Sequence, residues 1–308
     1  MRLVFMGTPD IAATVLKRLY QEEYEIAAVV TNPDKPKGRS GQPVFSPVKE
    51  TALSHGTEVL QPVKSGDPAF VERLRELAPD VIVVIAYGHI LRKKVLDIPK
   101  LGCVNIHTSL LPKYRGAAPI NQAVIDGCEV TGVTTMLMDE DMDTGDILLQ
   151  EEIPIDPKET AGTLFDKLAA AGADLIVETL RGMKQGTITP KKQEGEPSYV
   201  HMMTKEDGRV NWQKSAQEIE RLIRGLDPWP GAYSFLDGRR IRLISADVLD
   251  ADTAGAPGTL AGDSKSALKV NTGKGILLIT RLQPEGKKPM DTADFLRGFH
   301  PGPDSRFE

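Results

Sequence analysis

The sequence contains few cysteines and few aromatic residues, and it has no long apolar run. Its two cysteines, Cys103 and Cys128, do not have metal-binding or CxxC spacing, and this usage is typical of reduced thiols in the cytoplasm. No segment approaches the roughly 20 apolar residues that a membrane span needs. The first residues lead directly into a predicted strand without a signal-peptide pattern. We therefore expect a cytoplasmic protein rather than a membrane or secreted one.

The sequence also lacks an excess of positive charge and two common catalytic or cofactor motifs. Its net charge of −5 argues against a general nucleic-acid binder, although a local basic surface remains compatible with it. Gly7 has no partner glycine two or five residues later, so the GxGxxG motif is absent and a tight strand-to-helix turn is favoured over a dinucleotide site. GxSxG is absent as well, so no serine stands in a nucleophile elbow.

Residues 1–188 show alternating strand and helix patterns, which are typical of a doubly wound α/β sheet. The apolar run at 80–87, DVIVVIAY, indicates a central strand covered on both faces. The predicted strands are 2–6, 25–31, 58–61, 80–87, 102–107, 132–138 and 147–155. The predicted helices are 11–21 with Asp10 as N-cap, 47–55, 67–77 with Asp67 as N-cap, 117–125 and 160–182. We expect a Rossmann-like, mostly parallel sheet.

The sequence changes character after residue 188. Residues 189–207 are polar and without periodicity, which predicts a linker. A helix is predicted at 211–225, followed by short strands at 232–236, 239–246, 267–271 and 275–282, separated by turns rich in glycine and proline. That pattern indicates a small OB-like β-barrel. The expected organisation is a catalytic domain at 1–188, a linker at 189–207 and a C-terminal domain at 208–308.

Two polar residues interrupt the buried strand predicted at 102–107. Side chains alternate along a strand, so Asn105 and His107 share one face with Cys103. Buried polar groups are costly unless they are hydrogen-bonded or used, and ligands of open α/β sheets bind beyond the carboxyl ends of the strands. With a nearby carboxylate, this pair could stabilise an oxyanion and move protons. A single strand histidine is, however, more often a satisfied core residue.

The segment 139–146 carries five acidic residues. It could be a metal loop, but the EF-hand pattern fails because the glycine is misplaced and the downstream glutamate is missing. We favour one carboxylate close to the Asn105 and His107 pair, with the others facing solvent, and we expect no metal.

A long connection at 32–47 is rich in proline and glycine and carries Lys35, Lys37 and Arg39. It is longer than the usual strand-to-helix connection. Either it is a mobile surface loop with solvated charges, or it is a basic finger that binds phosphates.

The run NIHTSLLPKYRGAAPI at 105–120, followed by MDTGDIL at 142–148, closely resembles the 10-formyltetrahydrofolate-dependent formyltransferases. FMGTPDIA, VVTNPDKPKGR, SPVKETA and VIAYGHIL resemble the same family. GLDPWPGAY and LQPEGKKPMDTADFLRG lie outside the shared catalytic part and are similar to the members that act on initiator methionyl-tRNA. The resemblance covers essentially the whole chain.

The resemblance implies roles for individual residues. Asn105, His107 and Asp143 would form the catalytic triad, Asp143 being chosen because it stands directly before Thr144 and Gly145. The residues implied to bind the folate are Ser109, Leu110, Leu111 and Pro112 in one turn, and Tyr87, Gly88, Ile90 and Leu91 in a loop that presents backbone groups to the pterin ring. The residues expected to contact tRNA are Lys35, Lys37, Arg39, Lys191 and Lys192.

The activity implied is transfer of the formyl group of 10-formyltetrahydrofolate, a co-substrate, to the methionine amino group of initiator Met-tRNA by a monomeric enzyme. Three alternatives remain. A formyltransferase acting on a sugar nucleotide or glycinamide ribonucleotide would share the triad but would not need the basic loop or the C-terminal barrel. A formyltetrahydrofolate hydrolase would use water as the acceptor. A non-enzymatic RNA-binding protein would explain the barrel but not the three polar residues together.

Overall fold

The computed structural model describes residues 1–36, 43–253, 255–262, 267–302 and 304–308. Lys37 and Arg39, two of the residues expected to contact tRNA, lie outside these ranges. The strands are β1 (Arg2–Gly7), β2 (Glu25–Val30), β3 (Lys35–Pro36), β4 (Pro43–Val44), β5 (Val59–Leu60), β6 (Val81–Ile85), β7 (Cys103–His107), β8 (Arg115–Gly116), β9 (Val130–Leu137), β10 (Ile147–Pro154), β11 (Tyr199–Val200), β12 (Tyr233–Leu236), β13 (Arg239–Leu249), β14 (Leu268–Asn271), β15 (Ile276–Pro284) and β16 (Met290–Asp291).

The helices are α1 (Asp10–Gln21), α2 (Pro47–Ser54), α3 (Pro68–Leu77), α4 (Lys93–Leu96), α5 (Pro119–Asp126), α6 (Ala161–Gln185), α7 (Ala216–Gly225) and α8 (Thr292–Gly298), with one 3₁₀ turn at Glu206–Gly208. Over the described ranges, none of these helices combines the length and apolar character needed to cross a membrane. The chain divides into two compact units. One comprises Met1–Gly116, Val130–Pro154 and Phe165–Val200, and the other Ala117–Glu129, Ile155–Leu164 and His201–Glu308.

The first unit contains a seven-stranded sheet in the order β10-β9-β7-β6-β1-β2-β5. The five strands from β7 to β5 pair in parallel, and β9 and β10 add two antiparallel pairings at one side. Every residue of β6 is buried, as expected for a parallel strand covered on both faces. The predicted doubly wound, mostly parallel sheet is confirmed, and it places β7 at the junction between its parallel and antiparallel parts.

The N-terminal residues of α1, α3 and α7 show where capping agrees with the sequence prediction and where it differs. Asp67 caps α3 by accepting from the amides of the helix's first turn, as predicted. Asp10 is the first residue of α1 and not its N-cap, which is Pro9. The helix α7 begins after Ser215, several residues later than predicted. Its start is fixed by a capping box, in which the Ser215 hydroxyl accepts from the Glu218 amide while the Glu218 carboxylate accepts from the Ser215 amide.

The second unit contains an antiparallel sheet in the order β12-β13-β15-β14, with β16 paired to β15. The sheet curls around an apolar core and is consistent with the predicted OB-like domain. That core is formed by strand and helix residues that include Trp212, Ile219, Ile223, Leu243, Leu277 and Phe307. Within the 189–207 segment predicted as a linker, β11 pairs in parallel with β8. The domain boundaries at residues 188 and 207 stay a prediction.

Candidate active site

The strand β7 brings Asn105 and His107 into the middle of the first sheet, between β6 and β9. Asn105 pairs with Val84 on one side and Met136 on the other. Its side chain is half-buried, and it has no hydrogen-bond partner among the described residues. A partly buried amide without a partner is available to hydrogen-bond a ligand.

His107 is buried, and its two ring nitrogens have different surroundings. Nε2 lies 2.9 Å from the carbonyl oxygen of Tyr114. A carbonyl can only accept, so Nε2 carries a proton and donates it. Nδ1 lies 3.7 Å from Oδ2 of Asp143, which is too long for a direct hydrogen bond. The Tyr114 carbonyl therefore fixes the ring, and a gap remains between Nδ1 and the carboxylate.

Asp143 reaches His107 because the loop after β9 runs back along β7. The strands are antiparallel, so Leu137 at the end of β9 pairs with Val104 at the start of β7. Asp143 has a left-handed backbone with φ 55°, and its Oδ2 accepts from the Gly116 amide at 2.8 Å. Asp143 is thus the one acidic residue of the 139–146 segment placed beside His107.

The other acidic residues of the 139–146 segment have different surroundings from Asp143. Asp139, Glu140 and Asp141 are exposed, while Asp146 pairs with Lys192 at 2.8 Å. Within the described ranges, no group of three or more histidine, cysteine or acidic side chains is arranged to hold a metal ion.

The turn Ser109–Pro112 is held by buried hydrogen bonds. The Ser109 hydroxyl donates to the Lys113 carbonyl at 2.6 Å. Thr134, fully buried on β9, donates to the Ser109 carbonyl at 2.7 Å and accepts from the Leu111 amide at 3.2 Å. Gln150 donates to both Thr134 Oγ1 and the Leu111 carbonyl. The peptide bond between Leu111 and Pro112 is cis. The turn therefore has a defined backbone conformation within the first unit.

The loop after β6 buries two of its large side chains and exposes a third. Tyr87 and Leu91 are both 2% exposed and belong to an apolar cluster with α3 residues, while Gly88 has φ +80° and Ile90 is exposed. Burial raises the pKa of Tyr87 to about 12, so its hydroxyl stays protonated at neutral pH.

Asn32 holds the loop after β6 in place. Its side chain donates to the Tyr87 carbonyl at 3.2 Å and lies 2.6 Å from Nε2 of His89. Ser65 adds a hydrogen bond to the Ile90 carbonyl at 2.8 Å.

The lysines that were expected to contact tRNA and that the structure describes have different surroundings. Lys35 is exposed in β3, where it pairs with Val44 of β4. Lys191 is exposed and forms a backbone bridge with Ile147. Lys192 pairs with Asp146, which raises the pKa of this lysine. Within the described part of the chain, Lys191 has no carboxylate partner, so its charge is available to an anionic ligand.

Three residues outside the predicted set support the candidate site, and their sequence signals differ. Thr134 is a polar residue within an apolar strand, a signal that can be recognised. Arg115 donates to Gln193 and to the Tyr199 hydroxyl. Gln193 donates to the carbonyls of Asp143 and Gly145. Gln193 stands in a polar segment without periodicity, so no local pattern indicates its contacts.

An amide, an imidazole and a carboxylate lie at one sheet beside a turn with a defined backbone, and the chain matches a family of group-transfer enzymes. The protein belongs to the formyl transferase family. Residues 1–180 match the family model for the formyl transferase domain. Residues 202–300 match the model for the formyl transferase C-terminal domain.

Two similar proteins from bacteria extend the match over nearly the whole chain. It is 52% identical over 304 residues to a methionyl-tRNA formyltransferase of Lachnospira eligens, covering 97% of this chain and 96% of that one. It is 51% identical over 302 residues to a methionyl-tRNA formyltransferase of Agathobacter rectalis, covering 97% of each.

Solved structures with low sequence identity share the fold. An N-formyltransferase from Helicobacter canadensis, in complex with folinic acid and dTDP-3-aminofucose, superposes with a TM-score of 0.68 at 19% identity, covering 90% of this chain and 97% of that one. HypX from Aquifex aeolicus in complex with tetrahydrofolic acid gives a TM-score of 0.65 at 19% identity over 96% of this chain. This chain covers 47% of the HypX chain, which is about half of its length.

Proposed function

We propose that this protein transfers the formyl group of 10-formyltetrahydrofolate to the α-amino group of methionine on initiator tRNA. The observation that carries the proposal is the identity of about half of all residues, over 97% of the chain, with proteins named methionyl-tRNA formyltransferase. The match includes the C-terminal domain, which a purely folate-directed activity would not require.

The acceptor supplies the nucleophile in this reaction. An α-amino group has a reference pKa near 8, so a usable fraction is neutral at pH 7. The amine nitrogen attacks the formyl carbon, and a C–N bond forms while negative charge develops on the carbonyl oxygen. The unpartnered amide of Asn105 would donate to that oxygen, because a donor already in place stabilises charge that develops in the transition state.

His107 and Asp143 would move the proton that the amine loses. The formyl carbon–N10 bond then breaks, and the proton is delivered to N10 of the leaving tetrahydrofolate. The 3.7 Å gap between His107 Nδ1 and Asp143 Oδ2 is compatible with this role, because catalytic hydrogen bonds are often long without substrate and shorten in the complex. Whether His107 acts directly or through a water molecule does not alter this proton balance.

The folate would bind between the two preformed backbone segments. Ser109, Leu110, Leu111 and Pro112 form one side, and the loop Tyr87, Gly88, Ile90 and Leu91 forms the other. The buried hydrogen bonds of Thr134 and the Asn32 contact to Tyr87 support a fixed backbone here. Pre-organised backbone groups lower the ordering cost of binding.

Initiator tRNA would be held by phosphate contacts from local basic elements. Lys35 and Lys191 are exposed, and Lys37, Arg39 and Lys192 complete the proposed set. Phosphate contacts position a nucleic acid without reading its sequence. We also propose that the enzyme is cytoplasmic and monomeric, because one tRNA does not require a symmetric binder.

The testing experiment measures formyl transfer from 10-formyltetrahydrofolate to purified initiator Met-tRNA. Uncharged tRNA and free methionine serve as controls. We expect transfer only to the charged tRNA. Transfer to a sugar-nucleotide or glycinamide ribonucleotide amine in its place would favour the alternative acceptors. Consumption of the donor without an acceptor would indicate a hydrolase.

A further inference from the structure

The side chain of Gln193 is held by hydrogen bonds, although the residues on either side of it in the sequence are exposed. Residues 189–192 and 194–197 are all exposed, and Gln193 alone between them is half-buried. Its Nε2 donates to the carbonyls of Asp143 at 2.8 Å and Gly145 at 2.9 Å. Its Oε1 accepts from Arg115 Nε at 3.1 Å and Nη2 at 2.7 Å. Both donors and both acceptor positions of the amide are thus in use.

These four contacts hold the two backbone segments on which the position of the Asp143 carboxylate depends. Two of them fix the backbone of the loop that carries it, and the other two fix Arg115, whose neighbour Gly116 donates an amide to Asp143 Oδ2. The loop packs closely against β9 at Gly145, where an added Cβ would lie 1.6 Å from the Leu137 carbonyl oxygen. The left-handed backbone of Asp143 is a conformation that non-glycine residues adopt only when their surroundings impose it.

We infer that Gln193 is a positioning residue, which sets the Asp143 carboxylate against His107 by joining the 139–146 loop to Arg115. It touches no reacting atom and acts through Asp143. The inference rests on the proposed function for its catalytic consequence, but its structural part stands independently.

Two substitutions distinguish the hydrogen bonds that Gln193 donates from those that it accepts. Gln193→Glu keeps an acceptor for Arg115 but replaces the donor to the two carbonyls with an oxygen that repels them. Gln193→Ala removes all four of these hydrogen bonds. Gln21→Glu and Gln21→Ala, at an exposed position of α1, are the matched controls.

The kinetic test is a double-mutant cycle with Asp143→Ala. We expect Gln193→Ala to lower kcat by about tenfold or more in the wild-type background, since small misplacements of a catalytic group are costly. We expect less than a twofold further loss in the Asp143→Ala background, because residues that act as a unit are not additive. Equal losses in both backgrounds, or wild-type kcat in Gln193→Ala, would overturn the inference. The KM for 10-formyltetrahydrofolate should change less than twofold.

Hydrogen exchange provides a readout that does not depend on activity. In Gln193→Ala and Gln193→Glu, amides of residues 139–146 should exchange faster than in the wild type, while the Gln21 variants should match the wild type. Unchanged exchange in both Gln193 variants would refute the inference even if the acceptor proved not to be Met-tRNA. If the wild type transfers no formyl group but the Gln193 variants still show faster exchange at residues 139–146, the proposed function alone would be refuted.

Discussion

His107 Nδ1, at the end of β7, and Asp143 Oδ2, in the loop after β9, lie 3.7 Å apart. The ring is fixed from its other side by the Tyr114 carbonyl, and the carboxylate by the Gly116 amide. Each group is held by a hydrogen bond to another residue rather than by the other member of the pair. Both groups are therefore oriented without a direct hydrogen bond between them.

Replacing Asn105 by alanine should lower kcat for formyl transfer at least about a hundredfold, because loss of one oxyanion donor costs about 2.7–4 kcal/mol in the transition state. Folding should be little affected, since this side chain has no hydrogen-bond partner among the described residues. Single-turnover kinetics and a thermal melt measure the two effects. Asn105→Asp, similar in shape but without the N–H donor, should be equally impaired. Near-native turnover in either variant would contradict the assignment.

His107→Ala should also lower kcat at least about a hundredfold, within the range that general acid–base groups contribute. The substitution removes one hydrogen bond to the Tyr114 carbonyl, which contributes about 0.5–1.5 kcal/mol to stability. The variant should therefore remain folded. Circular dichroism checks the fold, and initial rates over a range of pH check the activity. A folded variant that retains most of its activity would remove His107 from the mechanism.

Thr134→Val should raise the KM for 10-formyltetrahydrofolate. Valine keeps the shape but removes the hydroxyl that bonds the Ser109 carbonyl and the Leu111 amide, and buried groups left unpaired cost about 1–3 kcal/mol. Thr131→Val, at a buried position of the same strand, is the matched control. Equal KM values for the two variants would show that Thr134 does not organise the turn.

The KM for tRNA should rise steeply with salt, while the KM for the folate should barely change, because phosphate contacts release counterions. Lys191→Ala should reduce the logarithmic salt slope by about one unit if this lysine contacts one phosphate. Lys17→Ala, at an exposed position of α1, should leave the slope unchanged. Parallel salt responses for both substrates would count against a local phosphate-binding surface.

The capping box of α7 should make stability depend on pH in the acid range. Hydrogen bonds from Ser215, first the backbone amide and then the hydroxyl, lower the pKa of Glu218 to about 2, from its ordinary 4.5. A lowered carboxyl pKa gives stability that is present above pH 4.5 and is lost as pH falls towards 2. The melting temperature of Glu218→Gln should be below that of the wild type at pH 6 and should converge with it near pH 2. Glu129→Gln, at an exposed position, should show no such convergence.

Strands and helices with strong periodicity could be predicted to within a few residues. The apolar run around β6 and the helix after Asp67 are examples, because burial and capping are local signals. The predicted start of α7 at residue 211 was wrong, although Ser215 and Glu218 have the spacing of a capping box, which marks where a helix begins. Short pairings such as β8 with β11 could not be predicted, because two residues carry no periodicity.

The sequence by itself determined the fold class, the family resemblance and the candidate residues, because burial patterns and long motifs are properties of contiguous segments. Only the tertiary structure decided how Asp143 is held beside His107, since its distance from the ring and its hydrogen bond to the Gly116 amide depend on the course of the loop after β9. It also decided the contacts of Gln193 with Asp143, Gly145 and Arg115. Such contacts join segments that are distant along the chain, and side-chain hydrogen bonds of this kind leave no repeating pattern in a sequence.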